Sequence, residues 1–213
     1  MTNTKYYHPD IIAKRADELL ARYEAKIGAT LFPPIPIDRI AEDLIDLQIL
    51  WQSLPDKDDD TVLAGLSPRK KIVVFNETRL PLFDKTPGLY RTVLAHEIGH
   101  WELHSEKDAS SQICIPGMVE PLQFLFYSES KSWDEKNAHL FMSHLLVPEA
   151  LLNPLIRNVQ VFDWPFLYRL RDTFQVTISA IRIRLERKGL LYVDGDGKIH
   201  RSRAEFNGQE RMI

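Results

Sequence analysis

The chain has 213 residues, 44% of them apolar, which is enough for one well-buried core and too much for a disordered protein. Its 27 basic and 30 acidic residues leave a net charge of −3, so the molecule as a whole lacks the positive field of a nucleic-acid or membrane-surface binder. A single cysteine, Cys114, excludes an intramolecular disulfide and any C-x-x-C metal spacing. There is no apolar leader-like run, and no stretch approaches the roughly 18 apolar residues of a membrane span, so a soluble cytoplasmic protein is expected.

In chain order, "HPDIIAKRADELLARYEAKIG" spaces Ile12, Ala16, Leu19, Leu20, Tyr23 and Ile27 at helical intervals, with Pro9 in the first turn and Gly28 past the end. The stiff connector "LFPPIPID" leads to a second helix ending near Leu47, with Asp38 as its expected cap and Ile40, Ala41, Leu44 and Ile45 on one side. Three β-rich runs follow, "LQILWQSL", "TVLAGLS" and "KIVVFN". The turns "PDKDDD" and "PRK" between them predict antiparallel hairpins in a small sheet. The acidic turn lacks the glycine and distal glutamate of a calcium loop, so a solvated hairpin is expected there. A helix over about 87–104 is anchored by Tyr90, Val93, Leu94 and Ile98, and another over about 134–147 by Leu140, Phe141, Leu145 and Leu146. After these, a helix, a turn at Gln175–Thr177, a second helix and a hairpin at Asp194–Gly197 suggest a small winged helix-turn-helix unit. The tail "AEFNGQERMI" is expected to be loose. The whole predicts an α+β protein with a core domain over 1–160 and a helix-turn-helix-like unit over 161–213 packed on it.

The segment "LAHEIGHWELH" carries the pattern H-E-x-x-H. His96 and His100 are one helical turn apart, so both imidazoles project from one face and can direct nitrogens to one point, as a zinc-type ion requires. Glu97 lies about 100° round the helix, off that axis but within reach of a water beside the ion, where a general base for metal-assisted hydrolysis belongs. The same pattern arises in helices whose histidines are merely hydrogen-bonded, so a third protein donor decides between the readings. His104 is a minor candidate, because it lies about 12 Å from His96 along an unbroken helix, too far to share one ion. Cys114 is a soft donor by type, although a lone cysteine is more often a small buried hydrophobe. Glu135 and His139, one turn apart, offer more: Glu135 can bind the ion, and His139 can hold a histidine ligand through its other ring nitrogen. Asp134 and Glu129 are rival carboxylates. A centre of two imidazoles and a carboxylate suits Zn2+, and Mn2+ is compatible.

Five blocks, "PPIPIDRIAEDL", "LAGL" with "KIVVFN", "RTVLAHEIGHWELH", "EKNAHLFMSHLLVP" and "FQVTISAIRIRLERKGLL", occur in an order that resembles the ImmA/IrrE family of metallo-endopeptidases over roughly residues 30–192. The likeness implies a zincin-like minimal metalloprotease core. The family's late block is approximately E-x-x-A-N-x-F-A-x-x-L-L-M-P, with its glutamate as third ligand. Aligned on "LLVP", that glutamate falls on Glu135, Ala138 matches the alanine, and His139 replaces the asparagine. The likeness further implies that the protein substrate is a helix-turn-helix transcriptional repressor, cut during stress or induction of a mobile element. Proteases of this kind hold extended substrate on an edge strand, for which "KIVVFN" is the candidate.

The C-terminal segment supports a second class of function. From Trp164 to Ile213 there are ten basic and six acidic residues, and Arg182, Arg184, Arg187 and Lys188 are candidate phosphate contacts. The alternative, which the apolar spacing favours, is that Ile178, Ile181, Leu185 and Leu190 pack the unit on the core while the arginines stay solvated. A DNA-binding regulator, or a protein that sequesters a repressor without cutting it, therefore stands beside the peptidase reading.

Overall fold

The computed structural model describes residues 6–56, 61–104, 123–126 and 133–208. Cys114, Glu129, part of the acidic turn and the side chain of His104 lie outside the described residues. Helix α1 (Pro9–Ile27) begins where the His8 ring accepts a hydrogen bond from the Asp10 amide, and it ends at Gly28, whose φ of 64° closes the last turn. Its apolar stripe is buried from Ile12 to Tyr23, whereas Ile27 at the frayed end is exposed. The connector enters α2 (Ile37–Arg39), which widens into a π-helical turn at Ile40–Ile45. Asp38 does not cap it. Pro36 occupies the cap without a side-chain bond, and the Asp38 carboxylate instead accepts from the Tyr90 hydroxyl at 2.7 Å, tying the connector to the helix that carries the histidines.

Four strands, β1 (Gln48–Gln52), β2 (Val62–Ser67), β3 (Ile72–Asn76) and β4 (Gln123–Phe126), form one sheet in the order β1-β3-β2-β4. The β2–β3 pair is the expected antiparallel hairpin, with Gly65 opposite Val74, and β4 adds antiparallel to β2. The pairing of β1 corrects the all-antiparallel expectation: it runs parallel to β3, so the chain crosses over between β1 and β2 and makes no hairpin there. Burial explains the order. Every residue of β2 and all but the first of β3 are buried, which suits interior strands, while the half-exposed β1 takes an edge. "KIVVFN" is therefore an interior strand and offers no free edge to a peptide. Asn76 fastens the crossover, its amide donating to the carbonyls of Leu54 and Val62 while its oxygen accepts from the Leu54 amide.

The short α3 (Leu80–Lys85) leads to α4 (Leu89–His104), which packs against α5 (Trp133–Leu146) and the sheet. Helix α6 (Glu149–Ile156) follows, then α7 (Trp164–Phe174) and α8 (Ile178–Arg187), joined through Gln175 in the left-handed region. A small ribbon, β5 (Tyr192–Val193) and β6 (Ile199–His200), comes next. The chain then forms a further turn, α9 (Arg203–Phe206), capped by Ser202, so the start of the tail is helical where a loose segment was expected.

Leu167, Leu170, Phe174, Ile181, Leu185 and Val193 belong to the same buried cluster as the stripes of α1, α4 and α5. The polar joint is equally intimate. Arg184 is 3% exposed, donates from Nε to the Val147 carbonyl at 3.2 Å, and places Nη1 3.2 Å from His144 Nε2. It is therefore removed from the set of candidate phosphate contacts. Lys188 pairs with Glu149 at 2.6 Å, and Arg182 lies 4.0 Å from Glu186, so these cations too have protein partners where solvated side chains were expected.

Candidate metal centre

Helix α4 is unusual in burying polar side chains along an otherwise apolar face. Leu94, Ala95 and Ile98 are fully buried, and between them His96, Glu97 and His100 are nearly so. Gly99 explains how α5 comes close enough to answer those groups: a Cβ there would sit 3.0 Å from the Ala138 carbonyl oxygen, so the helices cross where α4 has no side chain. The sequence held that signal, since a glycine inside a helix costs about 1 kcal/mol relative to alanine and marks a close approach.

The crossing brings Glu135, near the start of α5, to the two imidazoles. Its Oε2 is 3.1 Å from His96 Nε2, its Oε1 is 3.2 Å from His100 Nε2, and the two Nε2 atoms are 3.0 Å apart. Donors held at about 2.0–2.1 Å by a tetrahedral ion are themselves about 3.3–3.4 Å apart. The triangle thus needs only small adjustments to close on one cation. A looser group, His96 with Glu135 and His139, also keeps its ligand atoms within 4.8 Å of one another. The His96–His100–Glu135 group is more compact, with contacts of 3.0–3.2 Å in which Glu135 presents a different oxygen to each imidazole. His139 makes no hydrogen bond to His96. The rings meet edge to face with centroids 4.4 Å apart, and His96 Nδ1 has no hydrogen-bond partner among the described residues.

Burial and mutual contact set the charges at the triangle in opposite directions for the two histidines. Burial presses the His96 imidazole down to about 3, against the pull of Glu135, so it is neutral as a ligand must be. Burial alone would raise Glu135, but the two imidazoles hold its carboxyl well below the usual carboxylate range. For His100, burial is outweighed by the Glu135 carboxylate and its pKa is raised; Asp134 adds to that field. Glu97 is the one carboxyl of the group left alone: both oxygens are buried without a hydrogen-bond partner among the described residues, and burial pushes its pKa up to about 8. An unanswered buried carboxyl is costly.

A cavity of about 860 Å³ opens beside this group, reaching His96 and His139 at one wall and the first turn of α8 at another. Ser143, Arg187 and the α8 face were not singled out by sequence reasoning as parts of the site, since no spacing signal joins them to H-E-x-x-H.

A mixed α+β fold with side chains grouped to hold a metal ion fits the metallopeptidase class. Residues 46–186 match the family model Peptidase_M78, the IrrE N-terminal-like domain, and the chain belongs to that family. No curated protein matches the chain. Among the described residues no helix is long and apolar enough to cross a membrane.

Proposed function

We propose that the protein is a metal-dependent endopeptidase of the cytoplasm that holds Zn2+ through His96, His100 and Glu135 and uses Glu97 as general base. Its proposed substrate is a helix-turn-helix transcriptional repressor, whose cleavage relieves repression. The observation that carries the hydrolytic reading is the His96–His100–Glu135 triangle, with sides of 3.0–3.2 Å, beside a buried and unpartnered Glu97. The repressor rests on the likeness to the ImmA/IrrE family.

A divalent ion in that position supplies the electrostatic activation of water and of the scissile carbonyl that hydrolases of this kind use. The chain supplies the rest. Glu135 and the two imidazoles fix the ion from two helices whose separation is set at Gly99. Glu97, one residue after the first ligand, would take a proton from the attacking water and return it to the departing amide nitrogen. Leu63, Val93 and Met142 line the cavity beside His96 with apolar surface.

Glu97→Gln tests the reading. Incubated with zinc and the repressor from its own locus, the variant should bind one ion per chain as the unaltered protein does, yet cleave roughly 10²–10⁴-fold more slowly. Cleavage at an undiminished rate overturns the role of Glu97, and a zinc-loaded unaltered protein that cuts nothing overturns the peptidase. Relief of repression that survives Glu97→Gln supports sequestration instead.

A further inference from the structure

The cavity beside the triangle has a one-sided charge. Among its described lining residues are the cations Lys136, Arg171 and Arg187, with no aspartate or glutamate, in a protein whose net charge is −3. Arg171 is already engaged by Asp172 at 2.7 Å, and Lys136 rests over the Trp133 ring. Arg187 differs: it is exposed, it lines the cavity, and it has no carboxylate partner among the described residues. A guanidinium held at the wall of a largely apolar cavity, with no counter-charge, is a ready carboxylate receptor.

The rest of the lining describes the remainder of the ligand. Ser179, Ile183 and Arg187 are spaced four apart and share one face of α8, while Leu89, Val93 and Met142 give apolar wall opposite. From Ile178 to Arg187 that face runs about 13 Å, the length of roughly four residues of extended peptide. Ser143, 4% exposed, also borders this space.

We propose that this cavity is the substrate cleft and that it selects peptides carrying an aspartate or glutamate within one or two residues of the scissile bond, the carboxylate paired with Arg187 and Lys136 and a neighbouring apolar side chain seated against Leu89, Val93 and Ile183. This rests on the peptidase reading and adds its specificity.

The test uses the full chain and three fluorescein-labelled decapeptide pools, identical except that one fixed central position is Glu, Gln or Lys. Binding is read by anisotropy on the zinc-loaded Glu97→Gln protein, and cleavage of the same pools by the zinc-loaded unaltered protein is read by mass spectrometry. The Glu pool should bind roughly fivefold or more tightly than the Gln pool. Adding Arg187→Gln should bring the two within about twofold, and Arg187→Glu should shift preference toward the Lys pool. Lys136→Gln, on a different helix, should narrow the gap as well. Equal binding of the Glu and Gln pools, or a preference unchanged by Arg187→Gln and Arg187→Glu, overturns the proposal, as does displacement of the Glu pool by duplex DNA at lower concentration than by unlabelled Glu peptide. Cleavage without acidic preference sinks the specificity and leaves the peptidase standing. Acid-selective, Arg187-dependent binding with no cleavage keeps the cleft and sinks the peptidase.

Discussion

Glu135 divides its two oxygens between two imidazoles, and that division explains why so polar a group is tolerated under the surface. Oε2 faces His96 at 3.1 Å and Oε1 faces His100 at 3.2 Å, so each imidazole Nε2 has a carboxylate oxygen within reach. Glu135→Gln keeps the size and one acceptor but removes the charge that completes a neutral pair of imidazoles. Zinc affinity, measured by competition with a chromophoric chelator, should fall by at least about 100-fold. A loss of under threefold would mean that another donor completes the centre, and His139, grouped within 4.8 Å of His96 and Glu135, is the residue in position to do so. At this scale the helical period made His96, Glu97 and His100 legible, because spacing along a helix fixes direction. What His139 does was not legible: whether a ring hydrogen-bonds or stacks depends on a rotamer, and here it packs edge to face on His96.

Between elements, the decisive contact is the crossing of α4 over α5 at Gly99 and Ala138. Alanine at 99 would favour the helix by about 1 kcal/mol, yet its Cβ would stand 3.0 Å from a backbone oxygen that cannot rotate away. Overpacking of this kind typically costs about 1–3 kcal/mol, so Gly99→Ala should be neutral to destabilising in urea unfolding despite its better propensity. Because the ligands come from both helices, a shift of a few tenths of an ångström also spreads the donor triangle, and zinc affinity should drop by about tenfold or more. Unfolding stability raised by 1 kcal/mol or so, with unchanged affinity, would show that the helices do not depend on this gap. The extents of α4 and α5 could be read from apolar spacing to within two residues, as could the β2–β3 hairpin. The place of β1 could not, because parallel pairing with β3 is decided by a crossover and by which strands are buried on both faces, neither of which the short run "LQILWQSL" encodes. Asp38 misled for a related reason: it has the chemistry of a cap, but its carboxylate is committed to Tyr90, 52 positions later.

At the scale of the whole molecule, the C-terminal helices are fixed to the core by close approach and by a buried cation. Gly88, with φ of 77°, leaves no room for a Cβ against the Val176 backbone, and Arg184 reaches through the joint to Val147 and His144. The basic spacing of α8 suggested a surface charge cluster, but sequence does not distinguish a solvated arginine from one that answers a helix carboxyl-terminal carbonyl. This joint also carries a pH dependence. Burial, with Arg184, Arg187 and Lys188 nearby and Glu149 opposing, depresses the His144 imidazole to about 4, from an unfolded value near 6.5. Neutral His144 accepts from Arg184, whereas its protonated form would present a second cation to it. Between those two values the unfolded chain binds the proton and the folded chain resists it, so stability is complete above about pH 6.5 and is lost as pH falls toward 4. The ring is half-buried, which reduces the effect to about 1 kcal/mol between about pH 7.5 and pH 5. His144→Gln keeps an acceptor for Arg184 and cannot titrate, so the difference in urea midpoint between those two pH values should be smaller for the variant by that amount. Equal pH sensitivity in the two proteins would place the acid lability elsewhere and remove His144 from the joint's electrostatics.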